Sequence, residues 1–192
     1  KLGIVGFGRI GRAVAKRAKA FGMTILAHDP LTTPCAAAAA GAILVDFDTV
    51  LAECDYLCLL CPLTAQTRHM LTLREFRLMK PTAVLVNTGR GELVNEDDLV
   101  EALRTGVIRY AALDVFAGIN VFSPEGFPTD HPLFGLPNVL MTPHIAAYST
   151  ESGFEQKTKG AQAVVDVLTG KWPQHLVNPD VQPWFPITKP ST

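Results

Sequence analysis

Short apolar runs alternate with amphipathic stretches along most of the chain, the pattern of a parallel sheet covered by helices. Strands are predicted at residues 2–5 (LGIV), 24–29 (TILAHD), 42–45 (AILV), 56–61 (YLCLLC), 83–87 (AVLVN), 110–115 (YAALDV) and 138–142 (NVLMT). The first four lack strict alternation of apolar and polar positions, which marks strands buried on both faces. From Arg12, RAVAKRAKAFG sets Val14, Ala15, Ala18 and Phe21 on one helical face and most of its basic residues on the other, with Gly22 as the stop. A short helix, DTVLAEC, fits residues 48–54. Thr72 and Glu75 have the spacing of a capping box and open a helix that Pro81 closes. Asn95 caps EDDLVEALRTG, whose acidic first turn suits the positive end of the helix dipole and whose Gly106 ends it. Residues 149–170 predict a long helix stopped by Gly170, and the proline-rich tail from Trp172 to Thr192 carries little helix or strand signal.

With 192 residues, 48% of them hydrophobic, the chain can bury one substantial core. Its net charge is -1 with acids and bases interspersed, so neither a basic stripe for nucleic acid nor an acidic tail is present. The longest apolar runs, such as YLCLLCPL at 56–63, fall far short of the ~20 residues that span a bilayer, and no membrane partner is expected. The opening KLGIVGFG lacks the sections of a secretory signal. It starts directly on a strand without an initiator methionine, as a domain cut from a longer parent would. Three of the four cysteines, Cys54, Cys58 and Cys61, cluster in one segment, which fits a reduced, cytoplasmic protein better than a disulfide framework. Their C-x3-C-x2-C spacing occurs in iron-sulfur proteins, but on a strand Cys58 and Cys61 point to opposite faces, so apolar filler is the expectation.

The chemistry begins at GFGRIG. Gly6, Gly8 and Gly11 follow a strand and open a helix: Gly6 permits a tight turn, Gly8 lets backbone approach a pyrophosphate, and Gly11 allows close helix-strand packing. Backbone N–H groups at the helix start then face the phosphates. Asp29 ends the second strand, where a carboxylate accepts hydrogen bonds from the ribose hydroxyls of NAD and repels a 2′-phosphate. NAD is therefore expected over NADP.

The segments GIVGFGRIGRAVAKRAKAFGM, CPLTAQTRHML, LVNTGRGELVNEDDLVEAL, AALDVF and NVLMTPHIAAYS, in this order, resemble the D-isomer-specific 2-hydroxyacid dehydrogenases from residue 1 to about Asn178. The resemblance implies an α/β, Rossmann-type doubly wound parallel sheet with helices on both faces. It also implies an NAD-binding domain at 1–170 and a tail at 171–192 returning toward a substrate domain whose N-terminal half is absent here. It implies that Arg9 and Ile10 meet the pyrophosphate, that Cys61, Pro62 and Thr67 line the adenine and ribose side, and that Thr88, Asp114, His144 and Ala147 surround the nicotinamide, Asp114 as a carboxamide partner. Relatives are mostly homodimers.

Reduction of a 2-keto acid needs a hydride to carbon, a proton to the carbonyl oxygen and a cation for the carboxylate. Arg90 in NTGRGE has the planar fork for bidentate carboxylate binding, and flanking glycines let a ligand come close. His144, just past a strand and after a proline, is the candidate proton donor. The family's third catalytic residue is a glutamate about five positions after the aspartate of LDVF, where this chain has Ile119. Aligning PEGFPTDHPLF backward from HPLFGLPNV moves that role to Glu125 and implies an insertion of about six residues. His69 and His131 read as structural. The expected function is NAD-dependent hydride transfer between a small 2-hydroxy acid and its 2-keto acid, with Arg90, Glu125 and His144 as the catalytic set. Two alternatives stay open: a nicotinamide-sensing, corepressor-like regulator of the same fold, and a fragment that binds NAD without turnover.

Overall fold

The computed structural model of the protein describes residues 1–119, 128, 130–174, 176–178, 180–181 and 186–187. The chain divides into two compact units, Lys1–Ala146 and Ala147–Thr192. In the first unit, strands β1 (Leu2–Val5), β2 (Ile25–His28), β3 (Ile43–Leu44), β4 (Tyr56–Leu59), β5 (Val84–Asn87), β6 (Tyr110–Leu113) and β7 (Val139–Met141) form one sheet in the order β3-β2-β1-β4-β5-β6-β7. Every neighbouring pair is parallel. Helices α1 (Arg9–Ala20), α2 (Pro34–Ala39), α3 (Phe47–Glu53), α4 (Leu73–Leu78) and α5 (Glu96–Arg104) connect the strands, and α6 (Thr150–Leu168) belongs to the second unit.

Strand β1 explains why both faces of the sheet are covered. Its alternate residues point to opposite sides. Leu2 and Ile4 join Ala15 and Ala18 of α1 and Ala37 of α2 in one apolar cluster. Val5 joins a larger cluster with Val50 of α3, Phe76 of α4, and Leu99 and Leu103 of α5. Gly3 faces the same way as Val5, and a Cβ there would come within 2.8 Å of Val50 Cγ2. Each fully buried side chain, among them Ile4, Phe76, Leu85 and Ile108, contributes roughly 1.5–3 kcal/mol of burial. Because β1 and β4 are neighbours while the chain runs on from β1 to β2 on the other side, the strand order reverses between them. The crevice beyond the carboxyl ends of β1 and β4 is where this topology places ligands.

Several elements differ from the sequence expectation. The outer strand β3 is not buried as expected: Ile43 is 55% exposed, because a sheet edge has a neighbouring strand on one side only. Helix α1 begins at Arg9, ahead of Arg12, and ends at Ala20. Phe21 therefore caps the helix instead of continuing its apolar stripe, and it is 85% exposed. Helix α2 was not predicted, although Thr33 accepts the Ala36 N–H and Pro34 occupies the first turn. Strand β4 stops at Leu59, so Cys61 lies past its end.

Candidate active site

Two of the three glycines after β1 are required by backbone packing. Gly6 has φ +92°, and a Cβ on it would lie 2.5 Å from the Cys61 nitrogen; a Cβ on Gly11 would lie 2.4 Å from the Gly6 oxygen. Gly8 is different, because a Cβ there would meet nothing within 4 Å. It is the N-cap of α1, offers no side-chain cap, and is followed by a first turn without an acid. By contrast, α3, α5 and α6 are capped by Asp46, Asn95 and Ser149. The start of α1 thus keeps its N–H groups and the positive end of its dipole uncompensated by side chains, an arrangement suited to a phosphate. Arg9 and Ile10 lie exposed in this first turn.

Asp29 is tied to the same turn. One carboxylate oxygen accepts the Phe7 N–H at 2.7 Å and the other the Leu31 N–H at 2.8 Å. Each oxygen keeps a lone pair, so ribose hydroxyls can still be bound. The link to Phe7 had no signal in the sequence. A cleft of about 460 Å³ joins Ile10 to Cys61 and Pro62 beyond β4 and to Thr88, Gly89 and Arg90 beyond β5. Thr67 donates to the Pro62 carbonyl at 2.7 Å and so folds the loop that carries Pro62.

At the end of β5, Asn87 is 1% exposed and organises the turn that presents Arg90. Its Nδ2 donates to the Arg90 carbonyl at 2.9 Å, and its Oδ1 accepts the Gly89 N–H at 3.1 Å. The Arg90 side chain is exposed and donates through Nη1 to the Gly89 carbonyl at 2.7 Å. Gly91 serves packing rather than ligand approach: a Cβ there would lie 2.0 Å from the Phe116 carbonyl carbon. A second cavity, of about 300 Å³, is lined by Arg90 and His144 together with Glu92, Val115, Phe116 and Ile119. Two candidate catalytic residues more than fifty positions apart in sequence therefore share one cavity.

Asp114, directly after β6, is 3% exposed. Its Oδ1 accepts the Thr142 hydroxyl at 2.6 Å and the Ile145 N–H at 2.8 Å, and its Oδ2 accepts the Ala146 N–H at 2.9 Å. These bonds bracket His144, whose φ is +55°, a left-handed conformation that costs a non-glycine residue about 1–2 kcal/mol. Burial pushes the Asp114 carboxyl up, but the bonds from Thr142, Ala146 and Ile145 and the nearby His144 outweigh it and hold the group below the usual carboxylate range. Asp114 thus holds the His144 turn, a role the sequence did not suggest.

Glu125 lies outside the described residues. Ala147 belongs to the second unit, where its carbonyl accepts the Ser152 hydroxyl at 2.7 Å. All four cysteines are free thiols, and burial pushes those of Cys54 and Cys58 up to about 11.

Residues 1–146 match the NAD-binding domain of the D-isomer specific 2-hydroxyacid dehydrogenases. The glyoxylate reductase of Thermococcus litoralis is 43% identical over 180 residues, which are 94% of this chain and 52% of the relative. Glyoxylate/hydroxypyruvate reductase B of Pectobacterium atrosepticum is 41% identical over 181 residues, 94% of this chain and 55% of the relative. The crystal structure of D-lactate dehydrogenase with NAD+ from Lactobacillus jensenii superposes with a TM-score of 0.83 at 33% identity, over 92% of this chain and 55% of that one. The chain spans about half the length of the curated relatives it matches. With the strand order, the glycine turn and these matches in agreement, the chain belongs to the D-isomer-specific 2-hydroxyacid dehydrogenases.

Proposed function

We propose that this chain binds NAD(H) and forms part of an enzyme that interconverts a small 2-keto acid and its 2-hydroxy acid. The observation that carries this reading is the cavity shared by Arg90 and His144, beside a cleft that runs back to the glycine turn. Bound NADH supplies the hydride in the reductive direction. Arg9, Ile10 and the N–H groups after Gly8 hold the pyrophosphate, and Asp29 favours NAD over NADP. Cys61, Pro62 and Thr67 line the adenine and ribose side, and Thr88 and Asp114 the nicotinamide side. Arg90 pairs with the substrate carboxylate and polarises the carbonyl. His144 gives its proton to the carbonyl oxygen as the carbon accepts hydride, and takes it back in the oxidative direction. Glu125, assigned from the sequence, serves as the acid partner of His144.

In this reading residues 1–170 serve as the NAD-binding domain, and residues 171–192 lead back toward a substrate domain. The free thiols support a reducing, cytoplasmic setting. Apolar side chains left exposed on α6, Phe154 and Leu168 among them, support pairing with a second copy.

The test is twofold. NADH fluorescence should be enhanced on titration with the chain and NADPH fluorescence much less, and NADH should be oxidised in the presence of glyoxylate, hydroxypyruvate or pyruvate. Binding without turnover of any 2-keto acid restricts the chain to cofactor binding, a reading favoured by its half-length match. Absence of both overturns the proposal.

A further inference from the structure

Two acids in the first turn of α5 reach different neighbours. Asp98 accepts the Leu73 N–H at 3.0 Å and ties α5 to α4. Glu96 reaches the chain leaving β6: its Oε1 accepts the Ala117 N–H at 2.7 Å, and its Oε2 lies 3.3 Å from His131 Nε2. Both side chains of this pair are largely buried, Glu96 at 14% exposure and His131 at 16%. His131 Nδ1 accepts the Leu133 N–H at 3.4 Å, which assigns the ring proton of a neutral imidazole to the nitrogen that faces Glu96.

The peptide that Glu96 holds is the one on which the Arg90 turn rests. A Cβ on Gly91 would come 2.0 Å from the Phe116 carbonyl carbon and 2.3 Å from the Ala117 nitrogen. Asn87 secures the turn from within through its bond to the Arg90 carbonyl. We propose that Glu96 is a positioning residue for substrate capture. It joins the two flanks of the segment between Ala117 and His131 and, through the Phe116–Ala117 peptide, seats the backbone that presents Arg90. The inference rests on Arg90 as the substrate anchor. Glu125 belongs to the same segment of sequence, so one carboxylate fixes the described ends on either side of it.

The chain is tested as Glu96→Ala, which removes both contacts, and as Glu96→Gln, which keeps an acceptor for the Ala117 N–H. In Glu96→Ala the KM for glyoxylate should rise about tenfold, the size expected from losing a charge-assisted hydrogen bond. The Kd for NADH should stay within about twofold, because the glycine turn and Asp29 lie on the other half of the sheet. Glu96→Gln should restore most of the KM. An equal loss of substrate and NADH binding, or no change in either, overturns the proposal. Hydrogen exchange of the Ala117 amide gives a reading that needs no turnover: it should accelerate about tenfold in Glu96→Ala and less in Glu96→Gln. Unchanged exchange at Ala117 overturns the proposal even if the chain reduces no 2-keto acid, which keeps this failure separate from failure of the proposed function.

Discussion

The side chain that most repays attention is Asp114, because three donors converge on it and all three belong to the turn around His144. Asp114→Ala leaves buried donors unmatched, at about 1–3 kcal/mol, and frees His144 to leave its left-handed conformation. The expected result is a loss of keto-acid reduction far larger than the loss of thermal stability, measured by kcat/KM beside the melting temperature. The pH dependence follows from the depressed carboxyl. Its stabilisation is present above the unfolded value near 4 and is lost as pH falls through the lower folded value, so the turn should survive mild acid; histidine NMR through an acid titration would show this. Gly6 and Gly11 could be recognised from sequence because the packing constraints on a tight turn act over a few residues. The partners of Asp114 could not, since they lie 28 to 32 positions away and only folding brings them together. Glu125 was reached by alignment alone and falls outside the described residues.

Among the elements, the capped starts of α4 and α5 were the most legible feature, for the same reason of range. Asn95 accepts the Asp98 N–H at 3.2 Å, and Thr72 and Glu75 form the capping box their spacing predicts. Asn95→Ala should cost about 1 kcal/mol in chemical denaturation, with an unchanged slope, because it removes a cap without exposing core. What the pattern concealed was set by tertiary surroundings. Edge strand β3 reads like an interior one, since apolar runs do not report how many neighbours a strand has. Helix α2 is six residues long and mostly alanine, too short to show a periodic face, although its Thr-Pro start was there to be read.

On the scale of the first unit, the sheet separates two apolar layers that meet different helices, and the cleft lined by Ile10, Cys61 and Pro62 lies where strand order reverses. The second unit contributes an unusual helix: no residue of α6 is buried, and Phe154 and Leu168 are 74% and 78% exposed. Sedimentation should therefore give twice the 20.7 kDa chain mass, and Phe154→Asp with Leu168→Glu should return it to one. A single-copy mass for the unaltered chain would remove the dimer from the proposal. The bond from Phe7 to Asp29 bears on redesign. An engineer seeking NADP preference would replace this acid first, to admit a 2′-phosphate. Here the exchange also withdraws the acceptor that shapes the dinucleotide loop, so a switch to alanine should weaken both cofactors together. Asparagine, which keeps an oxygen for Phe7 while discarding the charge, is the substitution from which such a redesign should start.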